Sequence, residues 1–146
     1  MRIVHKQKEH GFTLIELLAV ITILGLLATV VVMSVVGKIK DAKIEVTKTQ
    51  IQNFENALKM YKYKFDRYPR TDEGLDILAE KGILDGGYVP PDPWKNKYEY
   101  YCPSNINFDA PFDIISYGAD GRPGGDDENA DITNHSIREE LMRANE

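Results

Sequence analysis

The chain has 146 residues, of which 42% are hydrophobic and 28% charged, and its formal net charge at pH 7 is −5. This length predicts a single domain with room for one small core. The first 37 residues hold three of the 18 Lys and Arg and two of the 23 Asp and Glu, which leaves 15 basic and 21 acidic residues in the remainder. Such an acidic excess argues against binding to nucleic acid or to an anionic membrane surface. Cys102 is the only cysteine, so an intramolecular disulfide is excluded.

The N-terminal region is dominated by an apolar run without a charged residue over positions 17–36. As a helix this run spans about 30 Å, the hydrocarbon thickness of a bilayer, and it has no polar face that would suit a soluble core helix. Residues 1–10 carry more basic than acidic side chains, which predicts that this end stays cytoplasmic and that the chain beyond the run is exported. No small-residue cleavage site follows, so the segment is predicted to be retained.

One carboxylate, Glu16, lies at the edge of this run, where an ionised side chain is costly unless it is paired. Two interpretations are open: the side chain reaches the headgroups without a role, or it waits for a cation. Cleavage after Gly11 would free the α-amino group of Phe12, about 6 Å from Glu16 along a helix axis. That offset suits a pairing between neighbouring subunits better than a bond within one chain.

The stretch Gly-Phe-Thr-Leu-Ile-Glu at positions 11–16, between a short basic leader and an apolar helix, resembles the class III signal of type IV pilins and pseudopilins. The resemblance implies cleavage after Gly11 by a membrane prepilin peptidase, which also methylates the amine of Phe12. It further implies assembly into a helical filament in which Glu16 faces the Phe12 amine of a neighbour.

After the membrane segment the chain keeps a helical stripe of apolar residues to about position 65, and no proline interrupts residues 12–68. The pair Glu55 and Lys59 supports this helix at i,i+4 spacing. One helix of about fifty residues is therefore predicted, with a membrane half over 12–37 and an exposed half over 38–66. The predicted stripe consists of Ile51, Phe54, Leu58, Tyr61 and Phe65.

Residues 67–146 are predicted to form a small head. Thr71 is the expected N-cap of a short helix over roughly 72–80. Strands are expected over 97–101 and 112–116, where β-branched and aromatic residues are frequent. Ser136 with Glu139 predicts a capping box before a last short helix.

Further motifs sharpen the resemblance. Tyr68-Pro69, Gly74-Leu75, the segment Pro-Asp-Pro-Trp at 91–94 and the segment 116–121 occur in an order similar to that of the major pseudopilin of type II secretion systems, from about Gly11 to Asn134. Two departures stand out: Lys95 replaces a common Gly, and no proline occurs over 29–36. The absence of the disulfide that closes many type IV pilins favours a pseudopilin instead. The implied fold is α+β, a long N-terminal helix packed on a head with a short helix, a small antiparallel sheet and a calcium-type loop over 116–134.

The richest polar segment is 120–131, which places five carboxylates among glycines. Oxygen ligands on a flexible backbone suit Ca²⁺, although the spacing is not that of an EF-hand, and a solvated acidic turn is the alternative. Major pseudopilins carry calcium in the corresponding loop, so the resemblance implies Ca²⁺ here. By position Asp120 and Asp131 are the best candidate ligands, and Asp126 and Asp127 are further candidates.

The expected function is structural: a subunit of a short periplasmic filament in a bacterial secretion system, anchored in the inner membrane by one span. Its expected partners are further copies of itself, minor pseudopilins, an inner-membrane assembly platform and the prepilin peptidase. No catalytic residue is predicted, because His135 is alone in the exported part and is expected at the surface, and Cys102 is expected to be a small apolar filler. The alternatives are a type IV or competence pilin and a membrane-anchored metal-dependent hydrolase.

Overall fold

The computed structural model describes residues 11–146, so the predicted leader over 1–10 and its cytoplasmic placement lie outside the described residues. Three helices and a three-stranded sheet make up the described chain. In chain order they are α1 (Leu14–Phe65), α2 (Asp76–Glu80), β1 (Glu99–Tyr101), β2 (Asp113–Ser116), a 3₁₀ turn (Asp127–Asn129), β3 (Ile132–Thr133) and α3 (Asn134–Arg143).

The prediction of one long N-terminal helix is confirmed, since α1 runs for 52 residues without a break. Two polar side chains in its apolar part bond to their own helix: the Thr22 hydroxyl donates to the Leu18 carbonyl at 2.7 Å and Thr29 donates to Gly25 at 3.0 Å. These bonds satisfy the hydroxyls without a partner from outside the helix. The helix ends where Asp66 takes a φ of 58°, a left-handed conformation that stops helical propagation.

The chain divides into two compact units, one ending at Ile39 and the other running from Lys40 to Glu146. In the first unit the apolar side chains of α1 are widely exposed, with Leu26 at 70% and Val30 at 65%. One helix among residues 11–146 is long and apolar enough to cross a membrane, and it is α1.

The core of the second unit forms around the stripe predicted on α1. Ile51, Phe54, Leu58 and Tyr61 are buried, whereas Phe65, the last member of the stripe, stays 44% exposed. The four buried members of the stripe pack against Leu78, Tyr100, Phe112, Ile114 and Ile137 from the rest of the unit. Full burial of one such side chain contributes about 1.5–3 kcal/mol, so this cluster is the main source of stability in the unit.

The sheet is antiparallel with the order β1-β2-β3, and Tyr100 lies opposite Ile114 while Ser116 lies opposite Ile132. Antiparallel pairing agrees with the prediction, but both predicted strands are shorter than expected, and β3 was not predicted at all. A strand of two residues is too short to show alternation in the sequence. The central strand β2 is buried along its whole length.

Two predicted helix starts are wrong. Helix α2 begins at Asp76 rather than near 72, because the Thr71 hydroxyl is used across the fold: it accepts from the Cys102 N–H at 2.9 Å and donates to the Cys102 carbonyl at 3.1 Å. At α3 the capping box is formed by Thr133 and Ser136, three residues earlier than the predicted pair of Ser136 and Glu139.

Helix α3 is joined to α1 by two ion pairs. Arg138 contacts Glu55 at 3.0 Å and Lys48 contacts Glu140 at 2.6 Å. The prediction that Glu55 pairs with Lys59 is therefore corrected, since the carboxylate of Glu55 turns towards the guanidinium of α3.

Candidate assembly and metal-binding sites

The N-terminal end of α1 is closed by a reciprocal pair of side chains. The Glu16 Oε2 atom accepts from the Thr13 N–H at 2.8 Å and from the Thr13 hydroxyl at 2.9 Å, and the Glu16 N–H donates to Thr13 Oγ1 at 3.2 Å. This is a capping box, which satisfies N–H groups that have no partner inside the helix. The Thr-x-x-Glu spacing that marks it was visible in the sequence but was not used.

The capping box changes the geometry expected around Glu16. Helix α1 starts at Leu14, so Phe12 precedes the helix instead of lying one turn below Glu16, and its side chain is 88% exposed. All the hydrogen bonds that Glu16 accepts from residues 11–146 use Oε2, which leaves Oε1 without a donor from this part of the chain. The carboxylate therefore keeps one oxygen available to a cation from outside.

The four predicted calcium ligands lie on one loop, but each carboxylate has a different surrounding. Both oxygens of Asp131 accept from the Gly124 N–H, at 2.9 and 3.0 Å. Asp120 Oδ1 accepts from the Arg122 N–H at 3.1 Å. Asp126 precedes the 3₁₀ turn in an extended conformation. Asp127 forms an ion pair with Lys40, which raises the pKa of that lysine because the hydrogen bond favours its charged form.

The loop is closed by two very close backbone approaches. A Cβ atom at Gly118 would lie 2.4 Å from the Glu128 carbonyl oxygen, and a Cβ atom at Gly125 would lie 2.6 Å from the Asn129 carbonyl oxygen. Both glycines have positive φ. No other residue type fits these positions, so the glycines are needed for the closure itself. The Ala119 N–H completes the contact by donating to the Glu128 carbonyl at 2.8 Å.

A buried carboxylate that the sequence reasoning missed anchors the start of this loop. Asp92 is 3% exposed, and its Oδ1 accepts from the N–H groups of Trp94 and Asn96 while its Oδ2 accepts from the Ser116 hydroxyl at 2.8 Å. The Asn96 amide in turn donates to the Gly118 carbonyl at 2.7 Å. The Pro-Asp-Pro-Trp segment and Asn96 therefore fix the first residues of the calcium-type loop by hydrogen bonds.

These contacts bear on the expectation of a metal. Within residues 11–146 no group of three or more His, Cys, Asp and Glu side chains is placed to hold a metal ion. Asp120 and Asp131 are already fixed by backbone N–H groups, and such bonds leave carboxylate lone pairs free for a cation. The residues present fit Ca²⁺ only if backbone carbonyls supply most of its oxygens.

A second buried polar cluster joins α3 to the sheet. Asp113 is fully buried, and its Oδ1 contacts His135 Nε2 at 2.6 Å and accepts from the Ser104 hydroxyl, while its Oδ2 accepts from the N–H groups of Asn105 at 2.6 Å and Ile106 at 3.1 Å. Desolvation alone would raise the pKa of Asp113, but these hydrogen bonds outweigh it and hold the pKa below its usual value.

The prediction that His135 is a surface residue is wrong, because its side chain is 8% exposed and faces Asp113. The neighbouring Asn134 side chain accepts from the Ile114 N–H at 3.0 Å and donates to the Phe112 carbonyl at 3.3 Å. Nothing in the local pattern marks these residues as buried, since polar residues at a helix start are usually solvated.

Comparison with known proteins gives a consistent match. Residues 34–135 match the family described as type II secretion system (T2SS), protein G, and residues 6–36 match the prokaryotic N-terminal methylation motif. The type II secretion system core protein G of Pseudomonas aeruginosa is 41% identical over 140 residues, covering 88% of this chain and 96% of that protein. The protein of the same name from Vibrio cholerae is 39% identical over 143 residues, covering 91% and 96%.

Among solved structures, the chain is similar to the major pseudopilin from the type 2 secretion system of enterohaemorrhagic Escherichia coli. The TM-score is 0.57 at 27% identity, and the match covers 69% of this chain and 89% of that one. The resemblance noted in the sequence motifs and the α+β fold class are thereby confirmed.

Proposed function

Because the chain belongs to the type II secretion system protein G family, we propose that it is a major pseudopilin, a structural subunit that polymerises into a periplasmic pseudopilus and drives protein secretion across the outer membrane. The observation that carries the proposal is the N-terminal end of α1. Phe12 is exposed, and it precedes Glu16 in the chain. One carboxylate oxygen of Glu16, Oε2, accepts from Thr13, and the other, Oε1, has no donor within residues 11–146.

Cleavage after Gly11 makes Phe12 the new N-terminus, and methylation leaves its amine cationic. The amine of one subunit then pairs with Glu16 Oε1 of a neighbour while Oε2 stays with Thr13. A buried carboxylate is stabilised by such a pairing and is costly without it. The pair therefore fixes the register between neighbouring subunits.

The apolar part of α1 anchors the subunit in the bacterial inner membrane as a single span, with the N-terminus in the cytoplasm and the head in the periplasm. The partners of the chain are further copies of itself, minor pseudopilins, the inner-membrane assembly platform, membrane lipid and the prepilin peptidase that processes it.

The chain acts without catalysis. A metal-dependent hydrolase would need a base beside Asp120 and Asp131, and the one histidine of the head is instead bonded to Asp113. A type IV or competence pilin would share the fold, but the relatives compared above are named for type II secretion.

We further propose that Ca²⁺ binds the loop over 116–134. Asp120 and Asp131 would be its carboxylate ligands, with Asp126 and Asp127 as further candidates, and carbonyl oxygens of the glycine-rich turns would complete the shell. The ion would supply positive charge that offsets the mutual repulsion of these carboxylates.

The assembly role is tested with Glu16→Leu in the full-length chain. The variant should insert into the membrane at least as well as wild type, because it removes a charge from the edge of the apolar segment. Multimers trapped by lysine crosslinking should fall by at least about tenfold, since the Phe12 amine of each subunit loses its partner.

Thr13→Val is the matched control, because it removes the hydroxyl of the capping box but leaves the Glu16 charge in place. It should assemble nearly as wild type does. Wild-type levels of multimers in Glu16→Leu would refute the role of the carboxylate.

A further inference from the structure

Helix α1 contacts the calcium-type loop through two lysines on one face. The Lys40 ammonium forms an ion pair with Oδ1 of Asp127, the first residue of the 3₁₀ turn. Three residues further along, the Lys43 ammonium lies 5.8 Å from the centre of the Trp94 ring, and the Trp94 side chain donates to Glu128 Oε2 at 3.3 Å. Positions three apart share one face of a helix. The same side of α1 therefore contacts the loop directly at one carboxylate and through Trp94 at the next.

Lys40 supplies the positive charge that the loop's carboxylates contact. Among residues 11–146, no other basic side chain forms an ion pair with a carboxylate of the loop. The hydrogen bond to Asp127 raises the pKa of Lys40, and the negative charges of Glu128 and Asp41 add to the rise. The Lys40 side chain is 23% exposed and that of Asp127 is 70% exposed. A dissolved cation can therefore reach the same carboxylate from solvent.

The 3₁₀ turn also has main-chain contacts that do not depend on Lys40. Asp127 has a φ of 64°, a left-handed conformation that persists only where neighbouring contacts hold it. The Asn129 N–H donates to the Asp126 carbonyl at 3.0 Å, and the Ala119 N–H donates to the Glu128 carbonyl at 2.8 Å. These bonds remain when the lysine is replaced, so a variant at position 40 is expected to keep the fold of the loop.

We propose that the Lys40 ammonium is the resident cation of the calcium-type loop when no metal is bound, and that Lys40 leaves Asp127 when Ca²⁺ enters the loop. The inference rests on the proposed calcium site, because it names the group with which the metal competes there. A carboxylate has lone pairs enough for two cations, but two cations on one carboxylate repel each other. By linkage each cation weakens the binding of the other by the same factor.

Lys40 consequently lowers the calcium affinity of the loop below the value that its oxygen atoms alone would give. The competitor is part of the chain, so its local concentration does not change with dilution or with the salt in the medium. Such a competitor moves a site towards the weak affinities of extracellular calcium modules. The loop would then fill only above a threshold of free calcium, which Lys40 sets.

The exchange is tested by calorimetric titration of the full-length chain with CaCl₂, in a non-ionic detergent and about 0.15 M salt, where distant charges are screened. Lys40→Met removes the ammonium and keeps a long side chain that suits a helix. Its dissociation constant for Ca²⁺ should be about two- to fivefold lower than that of wild type, as expected for loss of an exposed ion pair. Lys40→Arg keeps the cation and should bind as wild type does.

Lys38→Met is the matched control. It removes the same charge two residues away, about 200° around the helix from Lys40, and Lys38 is exposed and forms no ion pair within residues 11–146. Its dissociation constant should equal that of wild type. An equal gain in affinity in Lys38→Met and Lys40→Met would reveal a general effect of net charge and would refute the exchange.

Asp127→Asn tests which carboxylate Lys40 leaves. Because this variant has already lost the ion pair, adding Lys40→Met to it should leave the dissociation constant unchanged. Non-additivity of this kind is expected for two groups in direct contact. If the gain in affinity persists in the Asp127→Asn background, Lys40 acts through another group and the proposal is wrong.

The two ways of failing can be told apart. Calcium binding with the same dissociation constant in wild type and Lys40→Met would overturn the exchange and leave the calcium site intact. Absence of binding in every variant would overturn the site and the exchange together. Fluorescence of Trp94, the one tryptophan of the chain, gives a second measurement of the same titrations, because its side chain contacts Glu128.

Discussion

Buried carboxylates organise the head at the level of single residues. Asp92 gathers donors from the Trp94 turn and from Ser116, and Asp113 gathers donors from the loop over 103–112 and from α3. Each carboxylate joins segments that are far apart in sequence. Its hydrogen bonds fix their relative position, which non-directional apolar packing alone would not do. Because both side chains are almost fully buried, each needs all of its partners: a charge left unpaired there costs several kcal/mol.

The first prediction concerns Asp113→Asn in the second unit, residues 40–146. The amide cannot accept all the bonds that Asp113 accepts, so we expect the free energy of unfolding to fall by about 2–4 kcal/mol at pH 7. The folded pKa of Asp113 is lowered. The carboxylate therefore contributes stability that is present above its unfolded pKa of about 3.9 and is lost as pH falls through the lower folded value.

The difference in melting temperature between wild type and Asp113→Asn should accordingly shrink as the pH is lowered from 7 to about 3. Glu73→Gln is the control for acid sensitivity at a second carboxylate, because hydrogen bonds from Arg67 and from the Arg70 N–H lower the pKa of Glu73 to about 2 at a partly exposed site. A difference for Asp113→Asn that stays constant over this range would show that its charge adds nothing to stability.

At the level of elements, features that follow from a local repeat in the sequence could be predicted. Features that depend on contacts between residues far apart in sequence could not. The stripe on α1 follows from i,i+3 and i,i+4 spacing, so the helix and its buried face were found. Thr71 failed as an N-cap because its hydroxyl bonds to Cys102, 31 residues away, and β3 is only two residues long. Such contacts depend on the folded chain, and no local pattern encodes them.

The candidate metal site shows the same limit. Asp120 and Asp131 were picked by composition and resemblance, and they do lie on one loop, but the pairing of Asp127 with Lys40 spans 87 positions of sequence and could not be foreseen. Contacts of the chain itself also order this loop: Gly118 and Gly125 pack against backbone carbonyls, and the Trp94 side chain donates to Glu128 at 3.3 Å.

The second prediction concerns this loop in a soluble fragment from Lys38 onward, which retains the buried core. If calcium is present at about a hundredfold above its dissociation constant, it should stabilise the fold by about 2.7 kcal/mol. For a unit of this size that corresponds to a rise of about 10 °C in melting temperature over a sample in excess chelator.

Asp120→Asn and Asp131→Asn should each lower the melting temperature in calcium and respond less to chelator. Asp109→Asn, which removes an exposed carboxylate from the loop over 103–112, is the matched control and should respond as wild type does. Identical melting of the wild-type fragment in millimolar calcium and in chelator would mean that the loop is a solvated acidic turn held by its own hydrogen bonds.

At the level of the whole molecule, two different physical environments meet in one helix. The first unit exposes apolar side chains that only lipid or other helices can cover, whereas the second unit buries its own core. This division agrees with the proposed subunit, whose apolar helix half is anchored in a membrane and whose head lies outside it. In the proposed assembly, removal of the leader would have to come before polymerisation, because the cut creates the Phe12 amine with which Glu16 is expected to pair.

The last prediction is that this processing depends on Gly11. The mature membrane protein should begin at Phe12 and carry the mass of one added methyl group, whereas Gly11→Leu should keep the leader, because a bulky side chain does not fit beside the bond that is cut. A Cβ atom at Gly11 meets no other atom of the described chain within 4 Å, so the substitution leaves the subunit's own fold undisturbed.

Gly25→Leu is the matched control for Gly11→Leu, since a Cβ atom at Gly25 also meets nothing within 4 Å and leucine suits an apolar helix. It should be cleaved as wild type is. Intact-mass measurement of protein from membranes reads both variants directly. Retention of Met1 in the wild-type chain of a secreting strain would contradict the processing step, and with it the amine on which the pairing with Glu16 depends.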